Sequence, residues 1–102
     1  MPREIVWATP ALEELGEELA FIRYADPEAA QALYDEVMRQ LGLVLEQPEL
    51  GTQLLLQKQR LRVIVPHKTF KLLYRVQPDS IQIVAFLHTR RDLKRAFKSR
   101  SR

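Results

Sequence analysis

Residues 70–88 read FKLLYRVQPDSIQIVAFLH, and they determine the architecture expected for the whole chain. Apolar and charged side chains alternate from Phe70 to Val76, and Ile and Val are frequent from Ser80 to His88. Both patterns are typical of β-strands, and the intervening Gln77-Pro78-Asp79 is typical of a tight turn. Residues 70–88 therefore predict a pair of antiparallel strands.

Two further strands are predicted upstream of this pair. From Arg60 to Val65, arginine alternates with leucine and valine, and Pro66 to Thr69 has the composition of a turn. Near the N-terminus, Glu4 to Ala8 is short, β-branched and aromatic, which suits a first strand.

Helical periodicity fills the region between the first strand and the others. Thr9 is read as an N-cap with Pro10 at the first helical position, and Asp26 with Pro27 repeats this signal. The first apolar stripe ends near Tyr24. The apolar stripe of the first helix consists of Leu12, Leu15, Leu19 and Ile22. The apolar stripe of the second helix consists of Ala30, Leu33, Val37, Leu41, Val44 and Leu45. The short joint between the helices predicts an antiparallel hairpin, and the turn-rich residues 46–51 end it.

An amphipathic helical hairpin buries its apolar side, and a sheet supplies the surface for this. We therefore predict a single α+β domain over residues 1–102, in the order strand, helix, helix, strand, strand, strand. The hairpin packs on one face of a mainly antiparallel sheet. Residues 90–102, with 7 Lys or Arg, form a basic tail with one helical turn through Leu93 and Phe97.

Charge is segregated along the chain. Residues 1–50 hold 3 basic and 11 acidic side chains, whereas residues 51–102 hold 13 basic and 2 acidic ones. A surface rich in Lys and Arg attracts phosphate-rich or acidic polymers. The second half is therefore the expected location of the functional surface, while the acidic residues from Glu13 to Glu18 are expected to be simply solvated.

Strand alternation indicates how the basic residues share a surface. Side chains two positions apart lie on one face of a strand, so Arg60 points with Arg62, and Lys71 with Arg75. If the intervening apolar sets all face the helices, both basic pairs lie on the open side of the sheet. The sequence thus predicts one cationic sheet face flanked by the basic tail.

Several kinds of site are excluded by composition. The chain has no cysteine, which rules out disulfides and thiolate zinc sites and makes a reducing cytoplasm the expected compartment. Neither a membrane-spanning stretch nor a secretory signal is recognisable, so no membrane partner is expected. His67 and His88 lack clustered ligands, and no Gly-rich phosphate loop exists, so we predict no metal and no cofactor.

The string from Ile83 to Asp92, preceded by Leu73-Tyr74-Arg75-Val76 and a turn, resembles the RelE/ParE superfamily of bacterial toxins. Members commonly carry a Tyr-Arg-Val strand and a closing His-x-Arg-Arg-Asp, which here is His88 to Asp92. The similarity extends back to the opening strand and to Pro27-Glu28-Ala29-Ala30. It covers nearly the whole chain and implies the toxin half of a type II toxin–antitoxin pair.

The closing motif is closer to the ParE branch, whose members are known for inhibiting DNA gyrase. The resemblance therefore implies growth arrest through gyrase binding, with an acidic, amphipathic antitoxin segment covering the toxin. In this interpretation Asp92 and one neighbouring arginine are structural, and the other arginine faces the target. The predicted target-binding residues are Arg60, Arg62, Lys71, Arg75, His88, Arg90 and Arg91.

Two alternatives stay open at this point. RelE-like members cut messenger RNA on the ribosome, for which His88, Arg75, Arg62 and Arg60 are the candidate catalytic residues, with Tyr74 or Phe86 to stack a base if exposed. No tyrosine follows Tyr74, which departs from the RelE pattern. His88 is equally read as a strand end whose imidazole bonds a carbonyl or Asp92. The other alternative is a basic nucleic-acid-binding domain without toxic action.

Overall fold

The computed structural model describes residues 2–100, excluding the side chains of residues 99 and 100. It confirms the α+β class, with a helical hairpin on one face of a mainly antiparallel sheet. The elements are β1 (Glu4–Trp7), α1 (Thr9–Ala25), α2 (Pro27–Glu46), β2 (Thr52–Leu56), β3 (Gln59–His67), β4 (Phe70–Val76), β5 (Ser80–His88) and α3 (Leu93–Arg100). The strand order is β1-β5-β4-β3-β2, with β1 parallel to β5 and the other pairs antiparallel.

The two long helices begin differently. Asp26 caps α2 as predicted, because its Oδ1 accepts a hydrogen bond from the Ala29 amide at 3.1 Å. The prediction of Thr9 as an N-cap is wrong, since Thr9 is already helical and Ala8 occupies the cap position without a side-chain hydrogen bond. Pro10 stands in the first turn of α1, where its missing N–H has no cost.

The principal core lies between the helical hairpin and the sheet. Helical residues such as Leu15 and Val37 pack against Leu72, Tyr74 and Ile83 of the central strands. This is the packing that the two predicted apolar stripes require. The helices cover the face that carries Phe70, Leu72 and Tyr74 of β4, which we call the hairpin face.

The opposite face of the sheet, which we call the α3 face, is covered rather than free. Ala96 and Phe97 of α3 are buried against Leu73, Ala85 and Leu87. Part of the predicted basic tail is thus a helix with a packed apolar side, and residues 101–102 lie outside the described residues.

Strand β2 at the sheet edge was not predicted from the sequence. Its residues, TQLLL, lack period-two alternation. The strand joins β3 through the two residues Gln57 and Lys58, whose φ angles are 49° and 65°. Two positive φ angles in a two-residue loop characterise a type I′ hairpin turn. Within residues 2–100, the helices are too short or too polar to cross a bilayer.

Candidate target-binding surface

Two turns meet at one end of the sheet, where β3 and β5 finish. Thr89, just after β5, donates its amide to the Thr69 carbonyl at 2.8 Å and its hydroxyl to the Lys68 carbonyl at 3.2 Å. These bonds join the β3–β4 turn to the β5–α3 turn. The exposed cations around this junction form what we call the cationic tip: Lys68, Arg90, Arg91, Lys94 and Arg95.

Lys71 and Asp92 hold the tip in shape. Lys71 Nζ donates to the carbonyls of Thr89 at 3.1 Å and Arg91 at 3.3 Å, so its charge lies against the backbone of the β5–α3 turn. Asp92 Oδ1 accepts from the amides of Lys94 at 3.0 Å and Arg95 at 3.4 Å, which caps the N-terminus of α3.

Asp92 therefore has a structural role, as expected, but through a different contact. Within the described residues no guanidinium lies within ion-pair distance of its carboxylate. Arg90 and Arg91 are both exposed, and neither is held by Asp92. The expectation that one of them would be structural through that carboxylate is wrong.

His88 also lies at this end of the sheet, exposed on the hairpin face. Its ring centroid is 4.8 Å from that of Phe70, its partner in β4, with the planes tilted by 55°. Among the groups that the structure describes, the imidazole makes no hydrogen bond to a carbonyl or to Asp92, which the structural interpretation of His88 had expected. The imidazole is thus supported on one side by an aromatic ring and open on the other.

The predicted single cationic sheet face does not exist. In β3, Leu61 packs in the apolar cluster of the α3 face, and Ile64 packs on the hairpin face. Because side chains alternate along a strand, Arg60 and Arg62 point to the same face as Ile64, the hairpin face. Lys71 and Arg75 are each two positions from buried Leu73 in β4, so they share its face, the α3 face. The two basic pairs are on opposite sides because Arg62 is opposite Tyr74 in the β3–β4 register, and Tyr74 and Arg75 point to different faces.

The guanidinium of Arg62 is hydrogen-bonded to the backbone. Its Nη1 donates to the carbonyls of Glu49 at 3.1 Å and Gly51 at 2.8 Å, which ties β3 to the link after α2. Arg60 is instead exposed and lines a groove of about 590 Å³ at the β2 edge. Leu55, 71% exposed, and Val76 contribute apolar walls to the same groove.

Arg75 occupies a third location, far from His88. Its guanidinium donates to Gln82 Oε1 at 3.3 Å and to Gln59 Oε1. Arg75 is opposite Gln82 in the β4–β5 register, and Phe70 is opposite His88. His88 is six positions after Gln82 in β5, which corresponds to about 20 Å along the strand. The four candidate nuclease residues therefore do not converge on one site.

The aromatic residues proposed to stack a base are both in the core. Tyr74 and Phe86 are 0% and 1% exposed. Burial raises the pKa of Tyr74 because it disfavours the phenolate, and the hydrogen bond from the Gly51 amide opposes this effect. Stacking by either side chain would require the sheet to open.

Glu14 has a role that the sequence analysis missed. Its Oε1 accepts a hydrogen bond from the Phe86 amide at 3.1 Å, so it is not simply a solvated acidic residue. Strand β1 ends at Trp7, opposite Ile83, and leaves this part of β5 without a neighbouring strand. The helical pattern placed Glu14 on α1 but carried no signal that the side chain reaches the sheet.

Gln59 and Gln82 were also missed, since glutamine in a strand carries no specific signal. Among the described residues, no three His, Asp or Glu side chains are grouped as a metal site requires.

Comparisons with known proteins agree with this geometry. The profile of the family "ParE toxin of type II toxin-antitoxin system, parDE" matches residues 5–93. A chain of the chromosomal ParDE TA system from P. aeruginosa has a TM-score of 0.69 and 17% identity, covering 85% of this chain and 96% of its own length. The YoeB dimer from Staphylococcus aureus has a TM-score of 0.55 and 15% identity, covering 83% of this chain and 94% of its own length.

At these identities the two structural matches concern the fold alone, and among curated protein sequences none matches this chain. The family profile, in contrast, spans most of the sequence. The chain belongs to the ParE toxin family, whose members are the toxin halves of type II toxin–antitoxin systems.

Proposed function

We propose that this chain arrests bacterial growth in the cytoplasm by binding DNA gyrase, and that a cognate antitoxin neutralises it. Family membership supports the toxin role, and the resemblance of His88 to Asp92 to the ParE ending supports gyrase as the target. The structural observation that carries the proposal is the cationic tip, a cluster of exposed lysines and arginines.

The tip is suited to binding a macromolecule. Thr89 and Lys71 fix the backbone of both turns by hydrogen bonds, so the exposed Arg90 and Arg91 are presented from an ordered support. Asp92, the acidic residue next to them, is engaged at the α3 N-terminus. The resulting positive potential would speed encounter with gyrase carrying DNA.

Stoichiometric binding fits this arrangement better than catalysis by the four candidate nuclease residues. Arg75 is about 20 Å along the sheet from His88. Arg62 is occupied by backbone carbonyls. A surface that only binds needs no convergence of an acid, a base and a phosphate-holding cation.

A supercoiling assay tests the proposal. Purified toxin should inhibit gyrase at a molar ratio near one, and Arg90→Ala/Arg91→Ala should weaken inhibition by about tenfold or more, because each interfacial charge contributes roughly 1 kcal/mol. The control for net charge is Arg23→Ala, which removes one exposed arginine of α1 far along the chain from the tip, and it is compared with Arg90→Ala and with Arg91→Ala as single variants.

Full supercoiling activity at a large excess of folded toxin would refute gyrase as the target. Equal loss of inhibition in Arg23→Ala and the tip variant would refute the role of the tip, since net charge alone would then explain the effect.

A second candidate function is ribosome-dependent cleavage of messenger RNA, which the exposed position of His88 within reach of the cationic tip favours. His88→Ala should abolish transcript cleavage on ribosomes if this is the activity, because no other imidazole follows β4. Cleavage by wild type that persists in His88→Ala contradicts catalysis by His88. Gyrase inhibition retained in the same variant would favour the first candidate.

The antitoxin is proposed to contribute an acidic, amphipathic segment. The groove beside β2 combines exposed Leu55 with Arg60, so it suits a segment with both apolar and acidic side chains. Binding of the co-expressed antitoxin should weaken as salt rises. Arg60→Gln should reduce this salt dependence, and an unchanged slope would contradict an electrostatic contact at the groove.

A further inference from the structure

A recess of about 240 Å³ lies on the α3 face, toward the end of the sheet opposite the cationic tip. Its polar lining residues are Arg75, Gln57, Gln59 and Gln82, and its apolar wall includes Ala8, Val84 and Phe97. Among the side chains that the structure describes, the recess is therefore lined by one cation, neutral amides and hydrocarbon. No part of the cationic tip contributes to it.

The guanidinium of Arg75 is partly buried, and no described side chain neutralises its charge. Its two hydrogen-bond acceptors are the neutral side-chain oxygens of Gln59 and Gln82. Within residues 2–100 no carboxylate lies within 4.0 Å of it. A partly desolvated cation without a counter-charge is stabilised by an anion that enters its pocket.

The two glutamines are arranged to assist such an anion. Each directs its amide oxygen toward Arg75, which leaves the NH₂ groups for another acceptor. Three side chains at the wall thus offer N–H donors, and none of them brings a negative charge that would repel an anion.

The start of α1 adds a second positive contribution. Ala8, at the N-cap position, lines the recess. No side chain caps α1, and its first turn contains no acidic residue, so the positive end of the helix dipole is not offset by its own sequence. The helix dipole therefore adds to the attraction that Arg75 exerts on an anion in the recess.

We propose that this recess binds the side-chain carboxylate of an acidic residue of the antitoxin. A planar carboxylate matches the fork of a guanidinium. Val84 and Phe97 provide apolar contacts for the methylene groups of a glutamate. Inorganic phosphate lacks an apolar stem and carries more charge than one arginine neutralises. This inference rests on the antitoxin part of the proposed function and is independent of gyrase.

Nuclear magnetic resonance titration of the ¹⁵N-labelled full chain provides the test. The probe is N-acetylglutamate α-amide, which presents a glutamate side chain without other charges. The Arg75 Nε–H and the side-chain amides of Gln59 and Gln82 should shift in a saturable manner. The uncharged N-acetylglutamine α-amide should give no saturable shift.

Two variants identify the guanidinium as the cause. Arg75→Gln should weaken probe binding by about tenfold or more, the effect of losing a charge-assisted hydrogen bond. Arg23→Gln, which removes an equal charge from an exposed position of α1, should leave it unchanged. Arg75→Lys keeps the charge but not the fork, so it should bind with intermediate affinity.

Three results would overturn the proposal: equal shifts with the glutamine probe, equal or tighter binding of inorganic phosphate, or unchanged binding in folded Arg75→Gln. If Arg75→Gln does not fold, Arg75→Lys provides the test instead. Probe binding by Arg75→Lys with the affinity of wild type would exclude recognition by the guanidinium fork. The titration contains neither gyrase nor antitoxin, so its failure is distinguishable from failure of the supercoiling assay.

Discussion

The phenol oxygen of Tyr74 accepts a hydrogen bond from the Gly51 amide at 2.8 Å. Its hydroxyl donates in turn to the Pro48 carbonyl at 2.7 Å. A side chain at the centre of the sheet thereby satisfies two backbone groups of the link between α2 and β2. This contact fixes where the edge strand β2, and with it the groove lined by Arg60, lies relative to the helices.

Tyr74→Phe should destabilise the fold by about 1–3 kcal/mol, because it leaves the Gly51 amide and the Pro48 carbonyl without their partner. Urea unfolding followed by circular dichroism measures the change. Tyr24→Phe removes a hydroxyl from a side chain that is 97% exposed and should change stability little. Equal effects in the two variants would contradict a structural role for the Tyr74 hydroxyl.

The same residue predicts loss of stability at alkaline pH. Burial raises the pKa of Tyr74 in the folded state, whereas an unfolded tyrosine ionises near pH ~10. Above that pH the unfolded chain releases a proton that the folded chain retains, so the free energy of unfolding falls. Urea midpoints at about pH 9 and pH 11 should show a steeper fall in wild type than in Tyr74→Phe. Parallel curves would count against this linkage.

Gly51→Ala should also be destabilising, by about 1–3 kcal/mol. A Cβ at this position would lie 2.8 Å from Tyr74 Oη, 2.9 Å from Tyr74 Cε1 and 3.0 Å from Arg62 Cβ. Removing the hydroxyl relieves the shortest of these contacts, so the Gly51→Ala/Tyr74→Phe double variant should cost less than the sum of the single variants. A double-mutant cycle in urea measures the coupling, and strict additivity would contradict the clash.

Asp92→Ala should loosen α3 by about 1 kcal/mol, the usual effect of losing an N-cap. The apolar residues beneath the helix, Leu73 and Leu87, should then become transiently accessible. Hydrogen exchange should accelerate in α3 while the amides of α2 keep their protection. Asp79→Ala, an exposed acidic residue in the β4–β5 turn, controls for charge and should not accelerate exchange in α3.

The Gln57–Lys58 turn can be improved. Both residues have positive φ, which costs side chains other than glycine and asparagine free energy. Gln57→Asn/Lys58→Gly should therefore stabilise the fold by about 0.5–1 kcal/mol. Lys58→Ala removes the charge but keeps a Cβ, so it should give no such gain. Thermal unfolding of the variants distinguishes backbone strain from charge.

Elements whose signals are local were predictable from the sequence. The hairpin follows from two apolar stripes and from Asp26-Pro27 at the start of α2, because helix caps and periodicity depend on near neighbours. The β4–β5 pair follows from alternation and a turn between them. The resemblance at His88 to Asp92 located two of the five cations of the tip, Arg90 and Arg91.

Elements that depend on distant contacts were not predictable. Strand β2 has no alternation of its own and exists because β3 supplies its hydrogen-bonding partner. Glu14 accepts a hydrogen bond from the Phe86 amide because β1 ends before it reaches Phe86, and the register between β1 and β5 determines where β1 ends. Register between strands is decided by packing across the whole sheet.

The sequence by itself therefore determined the helical hairpin, the strands other than β2, the α+β class and the segregation of charge, since these depend on the order of residues along the chain. Tertiary structure decided the side of the sheet on which each cation lies. In the β3–β4 register Arg62 is opposite Tyr74 and Val63 is opposite Leu73, so Arg60 and Arg62 lie on the hairpin face while Lys71 and Arg75 share the α3 face with Leu73. A one-residue change in register reverses the face of every side chain that follows it, and local sequence does not encode that choice.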